Sequence, residues 1–163
     1  MELDLIEYDI DPRVKEKLEE IIQMLLYKIS AGVVMLSDDA GRIVSIKGGG
    51  YRETDAEFLA TLISGIFGAA VEMGKIINMQ DLEILQYESK NIDVVIKFIP
   101  PRFLLGIIVK KDVSIGTVRL FLKEASAILE KVLKDIKLVP VREIKIDVKD
   151  LEKKLNEILG ERS

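Results

Sequence analysis

The chain has 163 residues, of which 48% are hydrophobic and 32% charged, with a net charge of −4. That balance suits one globular domain with a short appendage and lacks the basic footprint that nucleic-acid binding requires. With no His and no Cys, it has no histidine base, thiolate, disulfide or common zinc site, so binding is expected rather than enzyme catalysis, with no cofactor and no metal.

The acidic, alternating N-terminus, residues 1–11, has no basic leader followed by an apolar core, so it does not read as a signal peptide. The apolar runs 32–36 and 104–109 are strand-length. No membrane insertion and a cytoplasmic location are therefore expected. The Ile-, Lys- and Glu-rich, Cys-free composition is also that of heat-adapted proteins.

Asp11 and Pro12 suit the cap and first position of a helix. Val14, Leu18, Ile21, Ile22, Leu25, Leu26 and Ile29 then form one apolar stripe, ended by Ser30, Ala31 and Gly32. Residues 32–36 and 42–47 read as a hairpin whose turn is Ser37-Asp38-Asp39-Ala40-Gly41. The two adjacent carboxylates are read as turn formers, since no third ligand for a hard metal is evident. Gly48-Gly49-Gly50 reads as a mobile connection; it lacks the Lys-Ser/Thr of a phosphate-binding loop.

Thr54 to Glu57 has the pattern of a capping box, opening a helix over 55–73 that Gly74 would end. Three strands follow, 82–88, 92–99 and 103–110; the last is apolar enough to lie centrally. A third helix over 115–135 carries Val118, Leu122, Ala125, Leu129, Val132 and Ile136 on its buried side. Beyond Pro140 come an alternating stretch, Ile144, Ile146 and Val148, and a short helix with Leu151, Leu155, Ile158 and Leu159 on one face. The predicted architecture is α+β: a five-stranded antiparallel sheet sandwiched between helices over residues 11–138, with a C-terminal helical extension over 139–163.

The second helix is the informative element. Ala56, Ala60, Ser64 and Gly68 recur every four residues, Gly65 and Ala69 widen the strip, and Phe58, Leu59, Leu62, Ile63, Ile66 and Phe67 add bulk. Glycine inside a helix costs about 1 kcal/mol relative to alanine, so the pair costs roughly 2 kcal/mol. Close approach of another backbone would offset this. The helix's own sheet could fill the groove, but so many apolar positions point to burial on a second side.

Residues 31–41, AGVVMLSDDAG, resemble the hairpin that opens roadblock (dynein light chain) domains. Residues 59–65, LATLISG, resemble that family's small-residue helix. Residues 104–109, LLGIIV, with Gly116 to Arg119, are similar to its last strand and the start of its final helix. The resemblance covers about residues 11–135, and the tail after Pro140 is similar to that of bacterial members that partner a Ras-like GTPase in cell polarity and gliding motility. It implies a homodimer in which the strand containing Leu82, Ile84 and Gln86 pairs across a two-fold axis. The second helices would then lie side by side as a platform of Ala56, Ala60, Ser64, Gly65, Phe67, Gly68 and Ala69. Such members stimulate GTP hydrolysis without donating a catalytic residue; a scaffold with no effect on nucleotide turnover is the alternative. Arg52, Leu151, Leu155 and Ile158 are candidate partner contacts. An arginine supplied in trans accelerates GTP hydrolysis by about 10³–10⁵, but the resemblance argues against such a role for Arg52.

Overall fold

The computed structural model describes residues 6–134, 136–140 and 148–160. In chain order its elements are β1 (Ile6–Asp9), α1 (Pro12–Lys28), β2 (Val33–Asp38), β3 (Ile43–Gly48), α2 (Glu53–Ile76), β4 (Ile84–Glu88), β5 (Ile92–Ile99), β6 (Phe103–Lys110), α3 (Ile115–Leu133), β7 (Lys137–Pro140) and α4 (Val148–Gly160). They group into two units, Ile10–Ile136 and a smaller one built from both chain ends, Met1–Asp9 with Lys137–Ser163.

In the larger unit the five strands are ordered β3-β2-β6-β5-β4 and every neighbouring pair is antiparallel. Apolar β6 is central, as predicted, because it has a neighbour on each side and a layer over each face. Pleating sends alternate side chains to opposite faces. Met35, Ile96 and Leu104 therefore face α2, while Val34, Leu36, Val95, Leu105 and Ile107 lie buried on the other face, where α1 and α3 pack. Leu18, Ile21, Ile22, Leu25 and Ile29 bring α1 to that face, and Val118, Leu122, Ala125 and Leu129 bring α3. Each buried Leu, Ile or Val among them contributes about 1.5–3 kcal/mol. Asp11 caps α1 by accepting a hydrogen bond from Arg13 N at 2.8 Å, with Pro12 in the first turn.

Several expectations need correction. Ser37 and Asp38 belong to β2 rather than to the turn. Gly48 is not a loose link: it ends β3 at φ +126, and a Cβ there would collide with the Gly32 carbonyl. The capping box does not form. Arg52 is the N-cap of α2 and makes no side-chain cap bond, and Thr54 lies inside the first turn. Nor does Gly74 end the helix; it is buried because Met79 closes over it, 3.3 Å from where a Cβ would stand, and α2 runs on to Ile76. At 24 residues α2 is long and apolar enough, by length and composition, to cross a membrane. Short apolar runs hide this, because Ala, Gly, Ser and Thr separate the large side chains. The helix end predicted to include Ile136 stops at Leu133.

In the smaller unit β1 pairs with β7, Ile6 opposite Pro140 and Asp9 opposite Lys137. Neither strand is assigned from the sequence; the N-terminal alternation covers β1, but four residues are too few for the pattern to name a strand or its partner. The expected strand positions Ile144 and Ile146 lie outside the described residues, and Val148 begins α4 instead. Leu151, Leu155, Ile158 and Leu159 of α4 are exposed.

Candidate functional site: the outer surface of α2 and the β4 edge

A helix turns by about 100° per residue, so a four-residue step overshoots one turn by about 40°. Over three steps the row Ala56, Ala60, Ser64, Gly68 winds from the sheet to solvent. Ala56 and Ala60 are buried, Ser64 is half-buried and Gly68 is exposed. Ala56 and Ala60 are thus small for the bland reason: with Ile63 and Phe67 they pack on Met35, Ile96 and Leu104. Phe67, placed in the platform by sequence, faces the sheet and stacks on Phe98 with ring centroids 5.6 Å apart. No backbone of the described residues approaches Gly65 or Gly68; the tight contact of this helix with the sheet is instead between the Ile63 side chain and a sheet glycine. A Cβ on Gly106 of β6 would stand 3.0 Å from Ile63 Cδ1, so a larger residue there would require the Ile63 side chain to move aside.

Gly65, Gly68 and Ala69 are exposed, and Cβ atoms built on the two glycines meet nothing within 4 Å. Beside them runs a stripe of large apolar side chains: Phe58 (70% exposed), Leu62 (59%), Ile66, Met73 (55%) and Ile76. Their spacing, 58, 62, 66, then 73 and 76, keeps them on one side of the helix. Such a contiguous apolar strip marks an interaction surface. None of the five is in the sequence-derived site, which follows the small residues, and Ile76 also lies beyond the helix end expected at residue 73. Arg52 sits exposed at the start of α2, on the rim of a groove of about 740 Å³ lined by Ile43, Ile46, Tyr51 and Ala56.

Strand β4 is an edge strand, paired among the described residues only with β5. Ile84 and Gln86 lie in it, half-buried. Leu82 does not: it precedes the strand and packs against the α2 core cluster. At the far end of β4, Lys111 reaches Asp93 Oδ1 of β5 at 2.6 Å and Glu88 Oε1 of β4 at 3.1 Å. The hydrogen bond to Asp93 chiefly holds the Lys111 ammonium above its ordinary pKa, with desolvation opposing and Glu88 adding to the rise.

Asp38 and Asp39 part company. Asp38 is fully buried and accepts hydrogen bonds from Ala40 N (3.0 Å), Arg42 N (2.8 Å) and Arg42 Nε (2.6 Å), which pins the β2–β3 turn. Asp39 is exposed. Among the described residues no group of three or more Asp or Glu is placed to hold a metal ion.

A five-stranded antiparallel sheet with two helices on one face, one on the other and an exposed apolar surface on the lone helix defines a roadblock-type α/β protein. The Roadblock/LC7 domain model matches residues 18–109, and the chain belongs to that family. It is 35% identical over 161 residues to an uncharacterised protein of Aquifex aeolicus, covering 98% of this chain and 99% of that one. Among solved structures it is similar to Myxococcus xanthus MglB, at 27% identity and a TM-score of 0.68, covering 72% of this chain and 95% of that one. It shares its fold with the gliding protein MglB of Thermus thermophilus, at 19% identity and a TM-score of 0.71, covering 77% and 95%.

Proposed function

We propose that this protein is a homodimeric regulator that binds a Ras-like GTPase on the outer surface of α2 and stimulates its GTP hydrolysis without supplying a catalytic residue. The observation that carries this reading is the exposed face of α2: bare backbone at Gly65 and Gly68 flanked by Phe58, Leu62, Ile66 and Met73. A solitary domain gains nothing from two glycines, at about 1 kcal/mol each, in a helix face that touches nothing. A partner that approaches the backbone closely offsets that cost. Self-pairing through the free edge of β4 uses the main-chain groups that an edge strand leaves open. Similarity to M. xanthus MglB supports the same reading, and the absence of His and Cys suits a partner that repositions the GTPase's own groups.

The test is GTP hydrolysis by a Ras-like protein of the same organism, with and without this protein. A rise of tenfold or more is expected, and Arg52→Ala should preserve it. An unchanged rate despite binding would favour the scaffold reading. A collapse with Arg52→Ala would instead make Arg52 an arginine finger.

The helix α4 offers a second contact. It has 13 residues, near the limit below which isolated helices are marginal in water, and its four large apolar side chains are exposed. A chain ending at Pro140 is expected to bind the GTPase at least fivefold more weakly; undiminished affinity would remove α4 from the interface.

A further inference from the structure

We propose that Lys111 is a positioning residue: it clamps the end of β4 onto β5 and so holds the sheet edge in the register that a second copy must meet. The inference rests on the homodimer reading above.

The need for a clamp follows from the register. Glu88 of β4 stands directly opposite Asp93 of β5. Two carboxylates at opposed positions of an antiparallel pair repel each other. Asp93 cannot turn away to water, since it is only 5% exposed. Left alone, this pair weakens the end of the β4–β5 pairing and turns the exposed Glu88 carboxylate outward to water. The short turn 89–91 also ties the strands at this end, where Ser89 N donates to the Ile92 carbonyl at 3.1 Å, but Tyr87 and Glu88 are both exposed and β4 is only five residues long.

Lys111 supplies the missing cation from a third strand. It follows directly on β6, whose terminal Lys110 is opposite Ile92. Its ammonium lies 2.6 Å from Asp93 Oδ1 and 3.1 Å from Glu88 Oε1, so one side chain spans from the end of β6 across β5 to β4. The geometry turns a repulsive rung into a three-strand tie. At the opposite end, the Phe98 amide donates to the Glu83 carbonyl at 2.9 Å, so β4 is fastened at both ends.

A residue that only stabilised the fold would move stability and dimerisation together. A clamp on the edge acts first on the edge. With Lys111→Met, amide exchange at Tyr87 and Ser89, whose N–H groups point toward β5, should accelerate at least tenfold while amides of the central strand β6 keep their protection. The dimer dissociation constant, from sedimentation, should rise tenfold or more. Lys111→Arg should restore both, and adding Glu88→Gln to Lys111→Met should recover much of the affinity by removing the repulsion. If wild type sediments as a monomer, the dimer reading itself fails. A wild-type dimer with Lys111→Met unchanged in affinity would overturn the clamp alone. So would protection lost equally in β4 and β6, because Lys111 would then be a general stabiliser.

Discussion

Gly68→Arg is expected to leave the monomer folded, and even slightly more stable, while lowering affinity for the GTPase by about a hundredfold or more. The two effects have opposite signs for a physical reason. Gly68 is exposed and a Cβ there meets nothing within 4 Å, so the new side chain enters solvent without a collision. Arginine is a good helix former, and replacing an interior helical glycine relieves about 0.5–1 kcal/mol of conformational cost. A partner seated on the bare backbone loses its close approach and must either clear a long charged side chain or desolvate it. A hundredfold loss corresponds to about 2.8 kcal/mol, which one buried and unpaired charge readily exceeds. Thermal unfolding at low protein concentration and a titration against the GTPase would separate the two effects. Undiminished binding, with stimulation of hydrolysis intact, would show that the glycine face is not the platform.

Asp38→Ala is expected to cost about 3 kcal/mol of stability, well above the loss that follows from breaking an exposed ion pair. Its carboxylate is fully buried and holds two backbone amides as well as the Arg42 guanidinium. Removing one partner of such a group strands the others, which costs more than the net value of the bonds. Arg42 is about a third exposed and recovers part of its solvation, so the low end of the roughly 3–5 kcal/mol range applies. Asp38→Asn can still accept from both amides but loses the charge pairing, and about half the effect is expected. Urea unfolding at constant slope reads both. A loss below about 1 kcal/mol for Asp38→Ala, the size of one ordinary hydrogen bond, would mean that the turn is held by other contacts. GTPase stimulation per folded molecule should survive, since Asp38 points into the protein.

Element types and their order were legible because period-two and period-3.6 patterns are properties of the chain alone. The stripe Leu18, Ile21, Ile22, Leu25 predicts the buried face of α1, and Leu104 to Val109 predicts a central strand; both hold. Ends were less legible. The Thr54–Glu57 pattern resembles a cap, yet the chain enters α2 two residues earlier, and Gly74 looks like a stop although Met79 packs over it. Those choices depend on where a neighbouring segment lies. The pairing of β1 with β7 was not legible, although the N-terminus alternates, because the two strands lie more than 120 residues apart, beyond the reach of a local pattern.

The α2 face shows most plainly what each level decides. Composition and spacing alone determined that the helix carries more apolar and small residues than one contact needs, and that the protein has no His and no Cys. They could not say which small residue serves which purpose, because a four-residue row drifts by about 40° per step around the helix. Only the tertiary structure divides it, setting Ala56, Ala60 and Phe67 against the sheet and leaving Gly65, Gly68 and Ala69 open. It also places Asp93 in the interior, opposite Glu88 and within reach of Lys111. Burial and cross-strand register belong to the packed arrangement of distant segments, and no single segment encodes them.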